Sequence, residues 1–122
     1  MYSAEGTESA PAIVLDFNTG QFSITGKSIP ENPWDVYQPV LDKIAEYRQQ
    51  PAPNTVLVIE MEFFNTSTSK MILDIISELE KIHLEELSQV VIEWRYHDED
   101  MMEVGEDFKF LLSVPFELIE IS

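Results

Sequence analysis

Five small polar residues in a row, Asn65-Thr66-Ser67-Thr68-Ser69, stand between a segment ending in Phe63-Phe64 and one beginning Lys70-Met71-Ile72. Four hydroxyls and an amide so placed permit two kinds of chemistry. One is capping: the N–H groups of a helix's first turn lack partners, and an Asn, Ser or Thr side chain satisfies one at a gain of about 1 kcal/mol. The other is modification: a hydroxyl at the positive end of a helix dipole can carry a phosphoryl group of charge about −1.5 to −2 without melting the helix. A cap and the turn before it account for most of the run. The remainder is what the modification reading explains.

Other candidates for chemistry are weaker. Glu60 and Glu62 share one face of a strand, and paired carboxylates can do acid–base work. No cleft, nucleophile or cofactor accompanies them, and Arg95 on the next expected strand is their ordinary partner. His83 and His97 are far apart in sequence and form no metal-spacing pattern; His83, late in a helix, reads as a packing or surface residue. The run His97-Asp98-Glu99-Asp100 lacks the spacing and glycine of a calcium loop and reads as a solvated acidic turn. Four scattered glycines build no phosphate loop. With no cysteine, disulfides and thiolate chemistry are excluded. The expectation is a protein with no catalytic residue, no metal site and no cofactor.

The elements that must hold the polar run follow from periodicity. Ile13, Leu15 and Phe17 alternate with polar positions, Asn18-Thr19-Gly20 supplies a turn, and Phe22 and Ile24 resume the alternation, predicting a hairpin. A loop punctuated by Pro30 and Pro33 leads to a helix over about 33–48, with Val36, Tyr37, Val40, Leu41, Ile44 and Tyr47 at helical spacing. Pro39 predicts an irregular start to that helix. A strand over 55–64 carries Leu57, Ile59, Met61 and Phe63 on one face, with Glu60 and Glu62 on the other. From about Ser67 to Leu84 a helical stripe of Ile72, Ile75, Ile76, Leu79 and Ile82 follows. Val90, Ile92, Trp94 and Tyr96 mark the next strand, a short helix loosely formed around Gly105 comes after it, and the segment 115–121 closes the chain as a strand. This order, β-β-α-β-α-β-α-β, predicts an α/β fold with one mixed sheet flanked by helices. Residues 1–10 read as a disordered tail, leaving 11–122 as one domain.

Composition narrows the partners. The chain has 122 residues, one domain's worth, with 23 acidic against 7 basic residues and a net charge of −16. Such a field repels phosphate backbones, so nucleic-acid binding is not expected, and a basic or locally positive protein is the natural complement. No apolar run approaches the roughly 18 residues of a membrane span, and residues 1–11 do not form a secretory signal. No membrane insertion is expected.

Several stretches carry a resemblance: SIPENP at 28–33, YQPVLDKI at 37–44, FFNTSTSK at 63–70 followed by a helix with Asp74, VVIEWRY at 90–96, and GEDF with the closing PFELIEI. Over roughly residues 11 to 121 the chain resembles the SiaC family of bacterial regulatory phosphoproteins. The resemblance implies a fold and logic similar to the STAS anti-sigma-factor-antagonist switches. It implies phosphorylation of Thr66, the threonine after the motif's asparagine, by a Ser/Thr kinase, and removal of the phosphate by a PP2C-type phosphatase. The unphosphorylated form would bind and activate a GGDEF-type diguanylate cyclase in the cytoplasm, raising cyclic di-GMP and favouring biofilm. Thr68 stands as a second candidate acceptor. In that reading Asn65 shapes the turn and one of Ser67, Thr68 or Ser69 caps the helix. Glu60, Glu62, Lys70 and Arg95 are the candidate docking surface around it. The competing reading is a constitutive acidic scaffold whose polar run only caps a helix. A third is a small acidic hydrolase or metal-binding protein using Glu60, Glu62 and the acids of 98–107.

Overall fold

The computed structural model describes residues 1–121 and contains one six-stranded sheet and three helices. In chain order the elements are β1 (Tyr2–Ala4), β2 (Ala12–Asp16), β3 (Gln21–Ser28), α1 (Pro33–Tyr47), β4 (Asn54–Phe64), α2 (Thr66–Leu84), β5 (Gln89–Tyr96), α3 (Glu99–Leu111) and β6 (Phe116–Glu120). The strands lie in the sheet in that same order. β1, β2 and β3 pair antiparallel, and β3 to β6 pair parallel. The sheet is therefore mixed, as expected, with β4 in its interior. The order carries one strand more than the sequence predicts. Tyr2 to Ala4 pair with Leu15 to Ile13, so that part of the expected disordered tail is a sheet edge. Its shortness explains the omission: three residues show no periodicity.

Pairing puts one face of the sheet against all three helices. Leu15, Phe22, Leu57, Ile92 and Phe116 form one row across it, and Ile13, Ile24, Ile59, Trp94 and Leu118 the next. Every member except Leu118 is buried, together with Tyr37, Val40 and Ile44 of α1 and Ile72, Ile75, Ile76, Leu79 and Ile82 of α2. At about 25 cal/mol per Å² of apolar surface, this single cluster dominates the fold's stabilisation. The opposite face carries Val14, Val56, Val58, Val91, Glu60, Glu93 and Arg95, and no helix of the described residues packs on it.

Three local expectations are corrected. α1 runs unbroken from Pro33 to Tyr47 through Pro39, and it starts cleanly: Asn32 accepts from the Trp34 N–H at 3.1 Å and Pro33 occupies the first turn. α3 is not loose around Gly105. It spans Glu99–Leu111 with Asp98 as its cap (Met101 N–H to Asp98 Oδ1, 2.8 Å), and Gly105 is buried against Trp94 and Leu118. Phe63 does not face the core. Gly26 pairs with Met61 but Lys27 with Phe63, so Glu62 is a bulge residue that reverses the alternation. Phe64 takes the inward place, with its ring 6.2 Å from that of Trp94, while Phe63 is 44% exposed under the Lys27 ammonium.

Candidate functional site

The polar run folds as the sharp turn from β4 into α2, at the pole where the parallel strands end. Two anchors hold it. The Asn65 N–H donates to the Ser28 carbonyl at 3.1 Å, tying the turn to the end of β3. The Asn65 side chain then accepts from the Thr68 N–H at 3.0 Å and from the Ser67 hydroxyl at 3.1 Å. Asn65 is thus itself the cap of α2, in extended backbone, and the expectation that Ser67, Thr68 or Ser69 would cap is corrected. The amide does both jobs because a residue in the cap position has non-helical backbone, which is what a turn needs.

Thr68 is fully buried at one end of a hydroxyl chain centred on Ser28. Tyr37 Oη lies 2.5 Å from Ser28 Oγ, Ser28 Oγ lies 2.9 Å from Thr68 Oγ1, and Thr68 Oγ1 donates to the Ser28 carbonyl at 3.1 Å. If Tyr37 donates to Ser28 and Ser28 to Thr68, all three hydroxyl protons are used and no donor is orphaned. Burial pushes the Tyr37 hydroxyl's pKa up, and the Ser28 and Thr68 hydrogen bonds oppose this in part. The chain joins β3, α1 and α2 at one point, directly beneath the turn.

Thr66 is the first residue of α2 and is exposed. Its hydroxyl takes no part in the bonds that hold the turn. Ser67 is also exposed, and Ser69 is half-buried. The two threonines of the run are therefore separated by environment: Thr68 is buried and bonded to Ser28, and Thr66, at the first position of α2, is exposed to solvent.

The profile of the family described as SiaC family regulatory phosphoprotein matches residues 4–121. The chain belongs to the SiaC family. An uncharacterized protein of Pseudomonas aeruginosa strain UCBPP-PA14 is 32% identical to it over 113 residues, 91% of this chain and 89% of that protein. The crystal structure of apo-SiaC from Pseudomonas aeruginosa superposes with a TM-score of 0.89 at 30% identity, covering 98% of this chain and 99% of that one. A chain of the crystal structure of diguanylate cyclase SiaD in complex with its activator SiaC, from the same organism, gives a TM-score of 0.92 at 29% identity over 99% of this chain and 100% of that one.

In this SiaC-family chain the four residues expected to form one docking surface do not come together. Glu60 and Arg95 lie on the helix-free face of the sheet, Glu62 sits at the bulge, and Lys70 projects from α2 on the other side. Nor does Arg95 serve the two glutamates. Although Glu60 pairs with Arg95 in register, the guanidinium turns to Glu93 at 2.9 Å along its own strand. Glu60 meets His97 at 2.9 Å, Glu62 meets Lys27 at 3.7 Å, and Lys70 meets Asp74 at 3.5 Å. Exposed pairs of this kind are worth roughly 0–1 kcal/mol each, so side-chain reach rather than register decided the partners.

The histidines and the acidic run have local duties. His83 Nδ1 accepts from the Val90 N–H at 3.1 Å, closing the α2–β5 connection. Asp98 caps α3, with Glu99 and Asp100 in its first turn, where acids favour the helix dipole. Among the described residues no three His, Cys, Asp or Glu side chains converge as a metal site, and no helix is long and apolar enough to cross a membrane. The sequence reading missed Ser28 and Tyr37 as parts of the site. SIPENP and YQPVLDKI contain them, but no periodicity signals that a serine at a strand end and a helix tyrosine meet Thr68.

Proposed function

We propose that this SiaC-family protein is a non-enzymatic phospho-switch with Thr66 as the acceptor, written by a Ser/Thr kinase and erased by a PP2C-type phosphatase. One observation carries the assignment: Thr66 is the exposed threonine of the run, free of the bonds that hold the turn, whereas Thr68 is buried and bonded. A phosphate on Thr66 adds about 1.5 to 2 negative charges above the first-turn N–H groups of α2, where the helix dipole favours them. The turn tolerates it because Asn65, not Thr66, is the cap. The switch then changes what docks at this pole without unfolding it. The SiaC of the cyclase complex is named as the activator of SiaD, and by likeness the unphosphorylated form of this chain docks on a diguanylate cyclase and raises its output.

The test is phosphorylation in vitro by the chain's cognate kinase, read as intact mass and by peptide mapping. Wild type and a Thr68→Val variant gain one phosphate, and Thr66→Ala gains none. Equal labelling of Thr66→Ala and wild type overturns the site. Failure of wild type to gain phosphate, in protein that still binds a cyclase, favours the constitutive scaffold instead.

A further inference from the structure

Both α1 and α2 start at the pole where the parallel strands end, so the two helices run side by side in the same direction. Between them on the outer surface lies a groove of about 520 Å³. Each helix contributes one stripe at helical spacing. On α1 it is Trp34, Gln38, Leu41 and Ala45, and on α2 Asp74, Ser77, Glu78 and Lys81. From Trp34 to Ala45 the stripe is about 16 Å long at 1.5 Å per residue, enough for about three turns of another helix.

The lining has a definite chemistry. Trp34 is 53% exposed at one end, an unusual position for the largest apolar side chain, and Leu41 and Ala45 continue the apolar floor. The rim is acidic. Asp42, Asp74 and Glu78 oppose one lysine, Lys81, and three minus one leaves a net charge of −2 on the groove. Lys81 is already held by Glu78 at 3.0 Å, and Gln38 turns its amide to Asp42 at 2.9 Å.

From this geometry we infer that the α1–α2 groove is a docking site for an amphipathic helix of a partner protein, with an apolar stripe flanked by lysine or arginine. The apolar stripe seats on Trp34, Leu41 and Ala45, and the basic flanks meet Asp42, Asp74 and Glu78. Charge complementarity selects the occupant: the chain's net charge of −16 disfavours a second copy of itself, and helix-in-groove binding uses anchors at the spacings found here. The inference rests on the reading of the protein as a docking module but not on phosphorylation. It also gives Thr66 a geometric consequence. Thr66, Lys70 and Asp74 follow one another at four-residue intervals along α2, which puts the acceptor about two turns before the groove's first α2 residue.

The experiment uses the full chain, ¹⁵N-labelled and unphosphorylated, titrated with two synthetic four-turn amphipathic peptides. The two share one apolar stripe; one is flanked by lysines and the other by glutamates. The lysine peptide is expected to shift the Trp34 indole signal and the backbone signals of α1 and α2 saturably, and to bind more weakly as salt rises. The glutamate peptide is expected to leave them unchanged. Trp34→Ala should weaken binding about tenfold or more, the effect of losing a tryptophan anchor, and Asp74→Lys with Glu78→Lys should remove the preference for the lysine peptide. Absence of binding, equal binding of both peptides, or shifts centred on the helix-free face of the sheet overturns the proposal. Thermal unfolding of each variant separates lost docking from lost fold. None of these results depends on Thr66, so the groove and the phosphosite fail or stand separately.

Discussion

Thr66 and Thr68 stand two residues apart in the first turn of α2 and meet opposite surroundings: Thr66 faces solvent, and Thr68 is 0% exposed with its hydroxyl 2.9 Å from that of Ser28. A turn of about 100° per residue, 200° over two, makes the division unavoidable once one of them is inward. One threonine is therefore open to solvent while the other, bonded to Ser28, holds the helix end.

That division is measurable as stability. Thr68→Val removes a buried hydroxyl and leaves the Ser28 proton without its acceptor, costing about 1–3 kcal/mol. Thr66→Ala removes an exposed hydroxyl and costs within about 0.5 kcal/mol. Urea denaturation of the two variants decides the matter. Equal losses would show that the hydroxyl chain is not what holds the turn.

Asn65→Ala should cost about 1 kcal/mol through the lost cap, and Asn65→Asp should recover most of it, because a carboxylate accepts from the same Thr68 N–H and Ser67 hydroxyl and suits the dipole. Unfolding midpoints with unchanged denaturant slopes would register this. If Asn65→Ala is neutral while Ser67→Ala costs 1 kcal/mol, the cap is misassigned.

The raised pKa of Tyr37 makes a prediction in alkali. Below the ordinary tyrosine value of 10.0 the folded and unfolded chains both hold this proton, and stability is whole. Above it the unfolded chain gives the proton up while buried Tyr37 keeps it, so the unfolded state binds fewer protons and stability falls with rising pH until the folded value is passed. Tyr37→Phe loses about 1 kcal/mol at neutral pH with its hydrogen bond, and its stability should decline less steeply above pH 10.0 than that of wild type. Parallel declines in the two proteins would refute the role of Tyr37.

Gly105→Ala tests the seat of α3. Alanine gains up to about 1 kcal/mol in a helix interior, but the added carbon would lie 2.5 Å from Trp94 Cδ1 and 2.6 Å from Leu118 Cδ2. The Trp94 ring cannot swing aside freely, because its Nε1 donates to the Met101 carbonyl at 2.8 Å. Overpacking costs about 1–3 kcal/mol, so a net loss is expected in thermal or urea unfolding. A stabilised Gly105→Ala protein would mean that α3 packs less closely on the sheet.

The sequence by itself determined the long elements and the place of the polar run. Period-two alternation at Leu57, Ile59 and Met61 and helical spacing from Ile72 to Ile82 are local signals, and the strand–helix turn between them follows from where one period stops. The acidic balance likewise limited the class of partner without a fold. Tertiary structure decided what depends on contacts between distant residues. The bulge at Glu62 exchanges Phe63 for Phe64 in the core because of how β3 pairs. Tyr2 to Ala4 become a strand only because β2 offers an edge. Which hydroxyl is buried depends on Ser28 and Tyr37, 40 and 31 residues before Thr68 in the chain. Charge partners fell to side-chain reach, so Arg95 met Glu93 and left Glu60 to His97. Local propensity records what one segment prefers; burial and hydrogen bonding are settled only when three segments meet.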